Sequence, residues 1–287
     1  MHNNNLSTLR NYFVTQLSAN YSPAELVQLF MPLTTYITQL TKTQQLTEPN
    51  YRVTESQINS YNAAIAKLLM HTPLQYIIGY EWFFDLKFNV NQHTLIPRPE
   101  TEELVAYILN KYSNKTNSLN IIDIGTGTGC IGISIKHELS NSTVTLCDIS
   151  AQALLVAQHN ATANNCEVTL LQSDILQWQQ HTWPMYDVVV SNPPYVLESE
   201  KQTMHTNVLS YEPHSALFVP NSNPLLFYKV IASMAHNTLK PQGLVAVEIN
   251  ETLGEATAQL FVQLGFGNVQ IINDLHQKHR FVVATKI

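Results

Sequence analysis

The sequence predicts an α/β chain: a doubly wound, mainly parallel sheet preceded by a small helical bundle and a β-hairpin linker. Three observations predict it. From residue 119 onward, short apolar runs of strand length alternate with segments of helical period, the pattern of a sheet covered by helices on both faces. A glycine-rich turn, Asp123-Ile-Gly125-Thr-Gly127-Thr-Gly129, follows the first of these runs, at the strand end where open α/β sheets bind ligands. A proline-rich turn, Asn192-Pro193-Pro194-Tyr195, follows the run Asp187-Val-Val-Val-Ser191.

Taken in order, Leu6, Leu9, Phe13 and Leu17 recur at helical spacing, and residues 6 to about 72 read as helices. Ser22-Pro-Ala-Glu25 is a capping box with proline at the first helical position. Thr54-Glu-Ser-Gln57 starts a further helix carrying Ile58, Tyr61, Ile65, Leu68 and Leu69, and His71-Thr-Pro-Leu74 breaks the pattern. Residues 76–84 and 86–90 read as the two strands of a hairpin. In Leu95-Ile-Pro-Arg98-Pro99-Glu100-Thr101 the two prolines fix a rigid turn, and Glu100 or Thr101 opens a helix over Leu104 to Leu109. Lys111 to Ser118 is polar and reads as a loop.

The sheet then takes residues 119–122, 143–147, 168–171, 187–191, 244–249, 269–272 and 281–284 as strands. Helices are expected over 130–135, 151–163, 225–239 and 253–264. The expected division is a helical domain over 1–72, a hairpin and linker over 73–100, and a catalytic domain over 101–287.

Composition narrows the function. Hydrophobic residues make up 45% of the 287, enough for a substantial core. Charged residues are only 13%, about half the usual ~25%, which reads as a compositional bias of the genome. The net charge of −6 argues against direct nucleic-acid binding. Cys130, Cys147 and Cys166 form no C-x-x-C pair and sit in or beside apolar runs, so buried reduced thiols are expected. No histidine pair has metal-ligand spacing, and no apolar run approaches the ~18 residues of a membrane span. A soluble, cytoplasmic, metal-free monomer is expected.

The two turns carry the chemistry. The spacing G-x-G-x-G is not the G-x-G-x-x-G of dinucleotide binders, and no Lys-Ser/Thr follows as in a phosphate loop. The run Thr143-Val-Thr-Leu-Cys147 ends in Asp148, a carboxylate placed to accept from both hydroxyls of a ribose. A ribose hook without a phosphate cradle favours S-adenosylmethionine over NAD or ATP. The Asn-Pro-Pro-Tyr turn suits a planar –NH₂ group. The Asn192 side-chain oxygen and a backbone carbonyl, left free because proline donates no N–H, both accept from that nitrogen. The aromatic ring packs on the flat group.

Six motifs resemble, in order, the peptide chain release factor N5-glutamine methyltransferases: Tyr76-Ile-Ile-Gly79, Leu95-Ile-Pro-Arg-Pro-Glu-Thr-Glu-Glu-Leu104, Asp123-Ile-Gly-Thr-Gly-Thr-Gly-Cys130, Ser191-Asn-Pro-Pro-Tyr195, Tyr211-Glu-Pro-His-Ser-Ala-Leu217 and Leu239-Lys-Pro-Gln-Gly243. The resemblance runs from about residue 70 to the end, and the helical N-terminus suits that family's substrate-docking domain. It departs at Phe218-Val-Pro-Asn-Ser-Asn-Pro224, where the family has Gly-Gly-x-Asp-Gly, and at Glu248-Ile-Asn250, where it has Glu-Ile-Gly.

The resemblance implies a Rossmann-like S-adenosylmethionine-dependent methyltransferase sheet. It also implies methylation of the Gln side chain in the Gly-Gly-Gln motif of release factors, which are the expected protein partners. Asn192, Pro193 and Tyr195 are then the catalytic candidates, and with Pro194 they hold the substrate amide. Gly125, Thr126, Gly127, Thr128 and Gly129 line the methionine end of the cofactor, Asp148 takes the ribose, and Asn192 also borders the cofactor. Asp174 accepts from the adenine amino group and Ile175 packs on the ring. Arg98 and Glu100 shape the mouth. The alternatives are a glutamine methyltransferase of a ribosomal protein and a nucleic-acid adenine N6-methyltransferase. The first is disfavoured by Pro99-Glu100, the second by the acidic charge and the lack of a target-recognition region. A non-catalytic cofactor-binding module is disfavoured by the intact Asn192 and Asp148.

Overall fold

Each long helix at the start of the chain is opened by a side chain that satisfies a free backbone N–H. In the computed structural model, which describes residues 4–113 and 118–287, Asn5 caps α1 (Leu6–Leu17) by accepting from the Thr8 N–H. Reciprocal capping boxes open α2 (Pro23–Thr38), α3 (Lys42–Thr47) and α4 (Glu55–Leu69). Their apolar faces interlock Leu9, Phe13, Leu17, Phe30, Leu33, Tyr61 and Leu68, all buried.

Residues 74–78, expected as the approach to a strand, form the short helix α5 (Leu74–Ile78). Pro73 precedes it, and Gly79, at φ 84°, closes it with its N–H on the Gln75 carbonyl. A five-residue apolar stretch is too short for its period to distinguish a helical turn from a strand, and glycine in the left-handed region decided for the turn. This helical unit therefore reaches Gly79, past the expected boundary at 72, and also takes in Thr206–Tyr211. The Tyr211 hydroxyl donates to the Met70 carbonyl at 2.7 Å.

The second unit is Tyr80–His205 with Glu212–Ile287. It begins with the hairpin β1 (Tyr80–Phe83) and β2 (Leu86–Asn89), paired antiparallel. Helix α6 (Pro99–Tyr112) starts one step earlier than expected, with Arg98 as its cap position and Pro99 at its first turn, where a missing N–H costs nothing. It also runs through Lys111 and Tyr112, which had been read as loop. Residues 114–117 of that expected loop lie outside the described residues.

The alternating core follows as β3 (Asn120–Ile124), α7 (Cys130–Glu138), β4 (Thr143–Asp148), α8 (Ala151–Ala163), β5 (Thr169–Gln172), β6 (Tyr186–Ser191) and β7 (Val196–Leu197). After α9 (Thr206–Tyr211), which belongs to the first unit, come β8 (Phe218–Val219), α10 (Leu226–Thr238), β9 (Leu239–Glu248), α11 (Gly254–Gln263), β10 (Phe266–Asn273) and β11 (His279–Lys286). Strand β9 begins at Leu239, ahead of the expected Leu244; the extra residues pair Leu239 with Tyr186 before a register shift.

The seven-stranded sheet has the order β10-β11-β9-β6-β3-β4-β5. The strands from β9 to β5 run parallel, and β11 pairs antiparallel with both β9 and β10. Successive residues point to opposite faces. Ile121, Val188, Val190 and Leu244 join one buried core with α6, α7 and α8; Ile122, Val189, Val245 and Val247 join the other with α10 and α11. Both faces being covered, the strands read as continuous apolar runs.

From β3 the chain steps to β4 and β5 on one side, then returns to β6 on the other. The C-terminal ends of β3 and β6 thus border the switch point, where doubly wound sheets leave a crevice. Ile124 is paired with Ser191, so the glycine turn and the Asn-Pro-Pro-Tyr turn leave the sheet side by side. All three cysteines are free and buried, as expected, and burial pushes the Cys130 and Cys147 thiols up to about 12. Among the described residues, no helix is long and apolar enough to cross a membrane.

Candidate active site

Two strand ends are locked before any ligand arrives. The Ser191 hydroxyl donates to the Ile124 carbonyl at 2.6 Å, joining β6 to β3 at the base of both turns. The N–H groups of Gly125 and Thr126 both donate to the Cys147 carbonyl, at 2.8 and 3.0 Å, which brings the glycine turn to the end of β4. There Asp148 takes over: its Oδ2 accepts from the Gly127 N–H and its Oδ1 from the Ser150 N–H, each at 2.9 Å. Burial pushes the Asp148 carboxyl upward against these backbone donors. A carboxylate has about four lone-pair sites, so Asp148 retains acceptor capacity for a ligand beside these backbone donors.

Beneath the turn, buried Asp123 accepts from the Thr126 hydroxyl at 2.6 Å and the Gly132 N–H at 3.1 Å. Burial raises it to about 6, with Asp148 adding to the rise. Asp123 does not line the cavity; it fixes the turn that does.

The cavity above these strand ends has a volume of about 410 Å³, within the ~300–1,000 Å³ typical of small-molecule sites. Its walls include Gly125, Thr126, Gly127, Thr128, Asp148, Asp174, Ile175, Asn192, Pro193 and Pro194, together with Arg98 and Thr101. The structure therefore brings most of the sequence-predicted residues to one space. Gly129 is not in the wall: at φ 82° it precedes α7, and a Cβ there would lie 2.6 Å from Ile133 Cδ1. Its role is the close helix approach. Glu100 is also absent from the wall.

Tyr195 is likewise outside the wall. Its hydroxyl donates to Glu248 Oε1 at 2.9 Å, and burial, with the Glu248 charge, pushes the phenol well above its ordinary value. The ring is drawn under the turn by that bond. Asp174 lines the cavity and also caps the short 3₁₀ segment Ile175–Gln180: its Oδ1 accepts from the Leu176 N–H and its Oδ2 from the Gln177 side chain.

Several functional neighbours were not singled out from the sequence. Thr101 lines the cavity, and its Oγ1 accepts from Asn192 Nδ2 at 3.3 Å. Glu212, with a side chain 1% exposed, receives Arg98 Nη2 at 2.6 Å and the Ile96 N–H at 3.1 Å. It thereby ties the Ile-Pro-Arg-Pro linker to the Glu-Pro-His-Ser segment. Ile149 and Leu176, both more than a third exposed, border the cavity as apolar walls.

The residues fit an adenosyl cofactor. A Cβ built on Gly125 or Gly127 meets nothing within 4 Å, so both glycines leave open space against the cavity. Ser150 and Ser173 also border the cavity. The Asp148 carboxylate and the apolar Ile149 and Ile175 suit a ribose and a flat base.

Residues 102–217 match the methyltransferase small domain family, and residues 8–79 match the PrmC N-terminal domain. A release factor glutamine methyltransferase of Flavobacterium psychrophilum is 38% identical, over 96% of this chain and 98% of that protein. Another, of Bacteroides thetaiotaomicron, is 39% identical over 77% of this chain and 79% of that protein. A methyltransferase crystal structure from Pyrococcus furiosus shares the fold, with a TM-score of 0.51 and 21% identity over 79% of this chain and 94% of that one. Near-complete mutual coverage at this identity, with both turns at the sheet's switch point, leads to one conclusion: the chain belongs to the release factor glutamine methyltransferase family.

Proposed function

We propose that this enzyme methylates the side-chain amide nitrogen (N5) of the glutamine in the Gly-Gly-Gln motif of peptide chain release factors, using S-adenosylmethionine. The observation that carries the reading is the pairing of Ile124 with Ser191, which sets the glycine turn and the Asn192 turn at one cavity.

S-adenosylmethionine, when bound, supplies an electrophilic methyl group on a sulfonium. Gly125 to Thr128 would border its methionine end, Asp148 would accept from the ribose, and Asp174 and Ile175 would meet the base. Asn192 Oδ1 and the Pro193 carbonyl would accept the two hydrogens of the substrate amide and fix the nitrogen in line with the methyl group. Pro194 would border that amide, and Tyr195, anchored through its hydroxyl, holds the turn that carries all three. A carboxamide nitrogen is a poor nucleophile, so orientation and close approach must supply much of the rate. As the N–CH₃ bond forms and the S–CH₃ bond breaks, the nitrogen would become far more acidic and would release its proton to solvent. The helical unit would recognise the folded substrate, a reading supported by its match to the PrmC N-terminal domain.

A competition assay tests the substrate class. Labelled methyl transfer from S-adenosylmethionine is measured to an intact release factor, a ribosomal protein mixture and adenine-containing DNA and RNA. Transfer to the release factor alone is expected. Preferential labelling of nucleic acid or of a ribosomal protein would replace this reading.

A further inference from the structure

Glu248, the last residue of β9, is 1% exposed and does not line the cavity. Its Oε2 accepts from the Thr101 hydroxyl at 2.6 Å and its Oε1 from the Tyr195 hydroxyl at 2.9 Å. Burial raises its carboxyl, with Glu100 adding to the rise, while the two hydroxyl donors and Arg280 of β11 oppose it.

Proton counting gives this arrangement a direction. A carboxylate only accepts, and each hydroxyl has a single proton. Both protons point at Glu248, so Thr101 can meet Asn192 only with a lone pair. Asn192 must then turn its –NH₂ edge toward Thr101, the 3.3 Å contact seen, which leaves Oδ1 on the opposite edge of the amide plane. The two edges of a carboxamide are nearly isosteric, so shape alone would hardly choose between them. The reversed amide would set –NH₂ against the substrate's own –NH₂ and remove the acceptor.

We infer that Glu248 is a positioning residue for amide methylation: acting through the Thr101 hydroxyl, it fixes the Asn192 carboxamide with its oxygen, not its nitrogen, toward the substrate. This rests on the proposed role of Asn192 as the amide acceptor. Glu248 serves the same turn a second time by anchoring Tyr195, so one buried carboxylate sets both the side chain and the seat of the Asn-Pro-Pro-Tyr loop.

A double-mutant cycle on the full-length enzyme tests the inference. Glu248→Gln keeps the shape but replaces one of the two acceptor oxygens with –NH₂, so Thr101 and Tyr195 compete for the remaining oxygen and the Thr101 proton is no longer committed away from Asn192. Single-turnover methyl transfer to release factor should fall about tenfold, with S-adenosylmethionine affinity and release-factor KM within about twofold of wild type. In an Asn192→Ala background the change should cost much less, because no amide remains to orient and only the weakened Tyr195 anchor is left to lose. Thr101→Val, which removes the relaying hydroxyl at constant shape, is carried through the same cycle, so the result does not depend on one variant folding. Equal losses in both backgrounds, or a loss in KM alone, would overturn the inference while leaving the proposed function standing. A wild-type enzyme that fails to methylate release factor would overturn the function, and the inference with it.

Discussion

Asn192→Ala is expected to slow single-turnover methyl transfer about a hundredfold, the usual cost of misorientation beside reacting atoms, with S-adenosylmethionine affinity nearly unchanged. The substitution removes an acceptor without removing the turn. Pro193 and Pro194 still restrict the backbone, the Ser191 hydroxyl still holds the Ile124 carbonyl, and the glycine turn and Asp148 lie on β3 and β4. The lost interaction matters when the amide nitrogen must be presented for attack, so the deficit belongs in kcat more than in binding. Asn192→Asp tests the same point with a residue that still accepts hydrogen bonds. Its carboxylate would stand beside a sulfonium and would face the Thr101 oxygen, whose proton is committed to Glu248, so a slow enzyme is expected here too. Methyl transfer measured by rapid quench for both variants checks this; wild-type rates in Asn192→Ala would return the turn to a structural role.

Asp148→Ala should weaken S-adenosylmethionine binding tenfold to a hundredfold. A charged acceptor for hydroxyl groups is worth roughly 1.5–3 kcal/mol. Asp148 also receives the Gly127 and Ser150 N–H groups, so the substitution loosens the glycine turn as well, and the two effects must be separated. Calorimetry with a cofactor analogue lacking both ribose hydroxyls does so. If Asp148 acts on the ribose, wild type and variant differ far less toward the analogue than toward S-adenosylmethionine. Equal loss for both ligands would reduce Asp148 to a support of the turn.

What the sequence made legible is what local pattern encodes. The strand runs at 119–122, 143–147 and 187–191 and the helix at 151–163 fall where the apolar pattern put them, because strands buried on both faces are uniformly apolar and helices beside them are not. The two turns were legible because glycine and proline constrain backbone within a few residues. Contacts between distant segments were not. Thr101 meets Glu248 across 147 residues of sequence and Arg98 meets Glu212 across 114, and neither pairing leaves a local trace. The Tyr195 hydroxyl finds its acceptor in Glu248, 53 residues on, a partner that the Asn-Pro-Pro-Tyr turn does not reveal. One signal was available: Glu248 is a carboxylate closing the apolar run Leu244-Val-Ala-Val247, and a buried charge at a strand's C-terminal end needs partners. Helix α5 was missed because a single helical turn has too little period to declare itself.

In the proposed reaction the methyl group goes to the side-chain nitrogen of a glutamine held by the Asn192 turn. Intact release factor should be incubated with the enzyme and S-adenosylmethionine carrying an isotopically labelled methyl group, then digested and sequenced by fragmentation mass spectrometry. One labelled methyl group is expected on the Gly-Gly-Gln peptide, localised to the glutamine side chain. Label on a backbone nitrogen, on a carboxylate, or on another residue with that glutamine unmodified would contradict it.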